Sequence, residues 1–265
     1  MKNFNLKQKI QNNELTLGSW VTIGHSSIIE ILVSAGFDWL TIDLEHSTID
    51  LEKTQDLIAF VQSFGKSALV RVSKNEEVII KRVMDAGANG VIVPTVKNRA
   101  EAEQAVNFVK YPPTGTRGVG LARAQQYGTG FEEYQSWLKE HSIVIPQIEH
   151  IESVQNLEEI IDVKGVDGII IGPYDLSASM GYPGEYERED VKRALAEVRS
   201  ICRSRGVCMG FHVIQPDHRL IQEKIDEGYR FIAFSIDFLF LGNKAREEMK
   251  KIKVHRDRTT LSQPD

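Results

Sequence analysis

The sequence holds only two cysteines in 265 residues, Cys202 and Cys208. Two thiols cannot build a disulfide framework or, by themselves, a zinc knuckle, so they read as reduced thiols of a cytoplasmic protein, one on a helix and one on a strand. No apolar run reaches the ~18–20 residues of a membrane span. The opening MKNFNLKQKIQNNE lacks the apolar core of an export signal. Basic charge is scarce as well, with 32 Lys and Arg against 37 Asp and Glu and a formal net charge of −5. Without a basic cluster, neither a nucleic acid nor a membrane is expected as a partner. No GxGxxG follows a candidate strand, and Walker loops and GxSxG elbows are missing, which argues against a nucleotide cofactor. No candidate strand contains a lysine, since Lys66 and Lys164 precede theirs. A Schiff-base lysine or pyridoxal phosphate needs a buried amine at such a place, so both are set aside. The loops HVIQPD and IDFLFLGN lack the glycine pairs that cradle phosphate in many barrels, which disfavours a phosphorylated substrate.

What is present is an ordinary globular composition, 42% hydrophobic and 26% charged. Eight short apolar or β-branched runs alternate with helical patterns: Ser19–Ile23, Trp39–Asp43, Ala68–Val72, Gly90–Val93, Ile143–Glu149, Gly168–Ile171, Val207–Phe211 and Phe231–Ile236. Runs such as GIIIG and GVIVP are apolar without alternation, as parallel strands buried on both faces should be. SAGFDWL, DAGANGV and DEGYRFI punctuate the passage from helix to strand with a glycine turn. Eight such units in one chain predict an α/β protein, a single-domain (β/α)8 TIM barrel over residues 1–265. Residues 1–14 read as a polar N-terminal segment and 253–265 as a flexible tail. The long connection from Tyr111 to about Gln135 is of a length that is usually functional or disordered, and its glycine-rich stretch PPTGTRGVG reads as a mobile gate or a subunit contact.

In a barrel the chemistry gathers at the C-terminal ends of the strands. Those ends offer His25; Asp43, Glu45 and His46; Arg71; Gln147, Glu149 and His150; Tyr174 and Asp175; His212; and Asp237. Each has a plain structural use. Asp175 and Asp237 stand where helix caps stand, Arg71 suits a structural ion pair, and His46 suits a satisfied imidazole. Convergence on one rim favours function. Glu149 and Asp175, on neighbouring strands with no lysine between them, would repel unless a cation or a shared proton held them. Oxygen ligands of this kind suit Mg2+ or Mn2+, with Co2+ as a further candidate. Arg71 offers a planar fork to a carboxylate or oxyanion, and His46 is the natural proton carrier near neutral pH.

GSWVTIGHSS with AGFDWLTIDLEH, LVRVS, YPPTGTRGVGLARA, PQIEHIES and VDGIIIGPYDLSASMG occur in this order over residues 17 to about 240. In this combination the chain resembles the HpcH/HpaI aldolases, metal-dependent class II pyruvate aldolases of the 4-hydroxy-2-oxoheptanedioate type. The resemblance implies Glu149 and Asp175 as metal ligands, Gln147 beside the bound keto acid, and Arg71 at the enolate oxygen. It implies His46 in proton transfer, supported by Asp43 and by an Asp85 that a neighbouring subunit supplies. Backbone amides of Tyr174 and Asp175 would receive the pyruvate carboxylate. Tyr174, His25, His212 and the eighth strand AFSIDFLFL depart from the family pattern around the pocket, and His212 is a further candidate substrate contact.

The expected activity is reversible cleavage of a 4-hydroxy-2-oxo acid into pyruvate and an aldehyde by a homo-oligomer, a hexamer or trimer of dimers. Three other readings stay open at this level: a citrate-lyase-like CoA-ester lyase, an oxaloacetate-type decarboxylase, and a non-catalytic keto-acid-binding barrel.

Overall fold

A computed structural model describes residues 5–252. Eight parallel strands close into a barrel in sequence order, β1 (Thr16–Val21), β2 (Trp39–Asp43), β3 (Ser67–Arg71), β4 (Gly90–Val93), β5 (Ile143–Ile148), β6 (Ile169–Ile171), β7 (Met209–Val213) and β8 (Phe231–Ile236). The outer helices are α2 (Ser26–Ser34), α3 (Leu51–Ser63), α4 (Glu77–Asp85), α5 (Arg99–Val109), α6 (Phe131–His141), α7 (Ile151–Gln155), α8 (Leu157–Ile161), α9 (Pro173–Ser179), α10 (Glu189–Arg205), α11 (His218–Asp226) and α12 (Asp237–Lys251). This is the expected (β/α)8 barrel.

Alternation along the strands sorts the core into two layers. Leu40, Ile42, Val70, Val91 and Ile148 point outward against the helices. Trp20, Trp39, Leu69, Ile92, Ile145, Ile170 and Phe231 fill the interior. There Trp39 stacks on Phe231 with ring centroids 4.2 Å apart. Further along the inward parity the rim turns polar, with Asp43 beyond Thr41 on β2 and Arg71 beyond Leu69 on β3.

The N-terminal segment expected to be merely polar folds as α1 (Leu6–Gln11). Leu6 and Ile10 are buried in the interior core and close the barrel floor. Cys208 immediately precedes β7 rather than lying on it, and both cysteines are free and buried, which pushes each thiol up to about 12. The 253–265 tail lies outside the described residues. Among the described residues no helix is long and apolar enough to cross a membrane.

The long connection is pinned rather than poised over this chain's own rim. Arg117 is fully buried, with its guanidinium 4.2 Å from the Tyr111 ring, and it donates to Tyr134 Oη (2.8 Å) and Val109 O (3.1 Å). Arg123 donates to Ala86 O at the C-terminal end of α4 (2.9 Å), which holds the segment at the floor end. A gate over this chain's own mouth is therefore ruled out by position.

Two lysines are buried at the floor. Lys7 pairs with Asp167 (2.9 Å) and donates to Ser142 O (2.7 Å), while Lys110 donates to Ser142 Oγ (2.6 Å) and Leu138 O (2.9 Å). Burial, with the Lys7 charge nearby, brings Lys110 down to about 8 from an ordinary 10.5. Between these values the unfolded chain binds more protons than the folded one, so stability rises with pH. Urea titrations between pH 8 and 10.5 should show the parent gaining up to about 3 kcal/mol relative to Lys110→Met. An identical pH profile in the variant would contradict the assignment.

Candidate active site

The register of β2 and β3 sets Asp43 directly beside Arg71. Arg71 donates through Nε to Asp43 Oδ1 (2.8 Å) and through Nη2 to Oδ2 (2.7 Å), a bidentate fork in which both side chains are buried. Its third nitrogen, Nη1, lies 3.1 Å from Glu45 Oε2, and its guanidinium sits 5.4 Å from the Trp20 ring centroid. Asp43 also accepts the backbone N–H groups of Glu45 (3.0 Å) and His46 (3.4 Å), so the loop after β2 is wound around its carboxylate. Burial raises the Asp43 carboxyl, but the Arg71 hydrogen bonds and charge outweigh it and hold the group below its usual value. Glu45 is pushed the other way, up to about 7, by burial, which the pull of Arg71 opposes and the charges of Asp43 and Asp175 reinforce.

Across the mouth, β5 delivers Gln147 and, one residue past its end, Glu149, which is buried. Glu149 Oε1 accepts both the N–H (2.6 Å) and the hydroxyl (2.8 Å) of Thr95, and Gln147 Nε2 donates to Oε2. Gly172, after β6, must lack a side chain. A Cβ there would stand 2.8 Å from both Gln147 Nε2 and Glu149 Oε2. Asp175 follows in the first turn of α9, exposed at the mouth. Burial pushes Glu149 up to about 7, with the Glu45 and Asp175 charges adding to it and the Thr95 bonds opposing it.

Three carboxylates thus act on one another while the one arginine among them is already forked onto a fourth, Asp43. The donor set fits a hard divalent cation: oxygen only, a glycine cradle that leaves Glu149 Oε2 uncrowded, and a buried Gln147 Oε1 without a hydrogen-bond partner. Among the described residues no group of three or more His, Cys, Asp or Glu is spaced to hold a metal. Glu149 and Asp175 would therefore hold a cation as a pair, with water or substrate oxygens completing the shell. This is the pattern that Mg2+ accepts.

The remaining predicted residues fall into distinct places. The His46 side chain is two-thirds exposed at the loop tip, with Nε2 3.8 Å from Glu45 Oε2. Asp43 reaches His46 through the backbone only, so the expected support of the imidazole by Asp43 is corrected: the side-chain neighbour is Glu45. His212 closes the other side with its ring 4.9 Å from Trp20 and a buried, unpartnered Nε2. Burial, and then the Arg71 charge, bring His212 down to about 4, so at neutral pH it is an uncharged imidazole. Tyr174 packs edge-on against Tyr186 (5.7 Å) and, with His212, lines a cleft of about 820 Å³ that runs between α10 and α11. His25 and His150 each cap a helix, Nδ1 accepting the N–H of Ser27 and of Glu152 (both 3.2 Å). Asp237 ties β8 to β1 by accepting the N–H groups of Thr22 (2.8 Å) and Ile23 (2.7 Å) and the Thr22 hydroxyl (2.6 Å). Asp85 ends α4 and therefore lies at the opposite, floor end of its own barrel, 3.7 Å from Arg117. Burial raises its carboxyl.

The HpcH/HpaI aldolase/citrate lyase family profile matches residues 16–243. The chain belongs to this family. It is accordingly a carbon–carbon lyase. The hydroxypyruvate/pyruvate aldolase of Roseobacter denitrificans is 35% identical over 248 residues, 93% of this chain and 96% of that protein. The 2-dehydro-3,6-dideoxy-6-sulfogluconate aldolase of Pseudomonas putida is 34% identical over 92% of this chain and 95% of its own length. Among solved structures, a Burkholderia cenocepacia protein of the same family superposes with a TM-score of 0.89 at 30% identity, covering 95% of this chain and 100% of that one.

Within this family frame, sequence reasoning missed the part Glu45 plays. It stood among the rim residues, but nothing in DLEH marks Glu45 as turning back onto Arg71. Thr95 and Trp20 were missed entirely. Thr95 follows a proline after β4 and carried no motif, and the Trp20 indole reads as core from its position in an apolar run.

Proposed function

We propose that this family member is a divalent-metal-dependent pyruvate aldolase that reversibly cleaves a 4-hydroxy-2-oxo acid into pyruvate and an aldehyde. The observation that carries the reading is the Glu149–Asp175 carboxylate pair beside Gln147, facing an arginine that is already locked in place. A Mg2+ or Mn2+ ion held there would supply Lewis acidity toward a chelated 2-oxo acid. Gln147 stands beside the keto acid, and its amide oxygen, which no protein group satisfies, would accept a hydrogen bond from a water there. The first-turn N–H groups of Tyr174 and Asp175, which helix geometry leaves without partners, suit its carboxylate. Arg71 places fixed positive charge where negative charge develops on the enolate oxygen, and its fork onto Asp43 means that it need not reorganise as the reaction proceeds. His46 stands at the open side with Glu45 beside it, placed to take the C4 hydroxyl proton through a water and to return it in synthesis. Tyr174 and His212, flanking the cleft between α10 and α11, belong to the aldehyde end of the substrate.

The active form is a homo-oligomer in this reading. Helix α12 buries only Asp237, while Phe238, Leu241 and Met249 are exposed along it. Near Asp85, the pinned connection exposes Val119, Leu121 and Tyr127. A second copy covering these faces would bring its Asp85 to a neighbouring mouth, which no single chain can do. Light scattering should give several times the 29.9 kDa of one chain. A fully active monomer would contradict this. Metal dependence has its own test. Glu149→Gln and Asp175→Asn should each fold normally, by circular dichroism, yet lose more than about 100-fold in cleavage, beyond what loss of even an outer-shell partner costs. Chelation should silence the parent and returned metal restore it, whereas full turnover in excess EDTA would overturn the reading.

A further inference from the structure

Thr95 is a β-branched residue held in the left-handed region, φ 52°, at the rim beyond β4. L side chains rarely adopt that conformation, and a β-branched one is a clear outlier. Such a conformation persists where surrounding contacts hold it, and here they are plain. With its backbone turned this way, the N–H (2.6 Å) and the hydroxyl (2.8 Å) of one residue converge on a single oxygen, Glu149 Oε1. The two donors engage Oε1 fully. Oε2 is left beside Gln147 Nε2 and over the bare Cα of Gly172, with lone-pair capacity to spare.

We infer that Thr95 is a positioning residue for the metal: it fixes the Glu149 carboxylate so that Oε2 alone is presented to the cation. This rests on Glu149 being a metal ligand, as proposed above. Outer-shell partners of ligating carboxylates set ligand orientation, and losing one typically costs 10–100-fold in metal affinity. The backbone N–H survives any substitution except proline, so loss of the hydroxyl should fall near the low end of that range.

The test is Mn2+ affinity at fixed pH, read by the electron paramagnetic resonance signal of free Mn2+, on parent, Thr95→Val, Thr95→Ser, Thr95→Gly and Glu149→Gln. Thr95→Val should weaken Mn2+ binding by about tenfold. Thr95→Ser keeps the hydroxyl and should bind like the parent. Thr95→Gly is the variant that separates positioning from folding, and it carries the test if Thr95→Val folds poorly. Glycine tolerates the left-handed backbone, so the metal-free Tm should hold or rise while Mn2+ affinity falls as it does for valine. If valine and glycine bind Mn2+ as tightly as the parent while Glu149→Gln binds none, Thr95 is passive and the inference is wrong. If the parent fails to bind Mn2+, or Glu149→Gln binds it equally well, Glu149 is not a ligand and the inference falls with that assignment.

Discussion

The fork between Arg71 and Asp43 decides the electrostatics of everything else at the rim. It exists because β2 and β3 pair in a register that sets the two residues side by side on the inward parity. Removing both charges from water is costly, and the geometry offsets that cost only because the remaining polar atoms are also satisfied. Asp43 takes two backbone N–H groups besides the arginine, and Arg71 reaches Glu45 with its third nitrogen. Truncating either partner would strand the other, at about 3–5 kcal/mol. Arg71 is thereby spent on Asp43 as a counter-ion but kept as a directed donor. Glu45 has only the arginine's third nitrogen, and among the described residues Glu149 and Asp175 form no ion pair with a lysine or arginine. That imbalance is the ground on which a metal is proposed at the mouth.

The same strands serve two purposes along their length. At the floor the inward positions carry Trp39, Leu69, Ile145 and Phe231, and α1 seals them with Leu6 and Ile10. Toward the rim the same parity carries Asp43, Arg71, Gln147 and His212. Rigidity at the floor and polarity at the rim are therefore coupled through short strands, in which a residue of known parity has little freedom to wander. The clamp of Asp237 on Thr22 and Ile23 and the hold of Thr95 on Glu149 extend that rigidity into the loops.

Much of this was legible in the residues. The eight strands, the helix-to-strand glycine turns, and the motifs DLEH, QIE and GPYDLS place the barrel and the rim carboxylates without coordinates. Strand ends were less legible, for identifiable reasons. The first strand starts at Thr16 rather than Ser19 and stops at Val21, because the N–H groups of Thr22 and Ile23 leave the ladder for Asp237. The seventh begins at Met209 rather than Val207, because the Val207 N–H bonds Cys202 O and finishes α10. At the site, residue type alone could not tell the capping imidazoles of His25 and His150 from the rim imidazole of His46. Nor could it show that Asp43 serves Arg71 in preference to the His46 ring. Those distinctions lie in side-chain direction, which depends on pairing register and local backbone, and a motif carries neither.

The central claim is that Arg71, held by Asp43, stabilises negative charge on the oxygen of an enolate. It is tested most directly by deuterium uptake into the methyl group of pyruvate, followed by proton NMR in D2O with Mg2+ and no aldehyde. This isolates enolate formation from aldol cleavage and from the C4 hydroxyl proton. The account predicts that Arg71→Ala slows exchange by ~10²–10³-fold, the range for loss of an oxyanion donor. Exchange at the parent rate in that variant would contradict it.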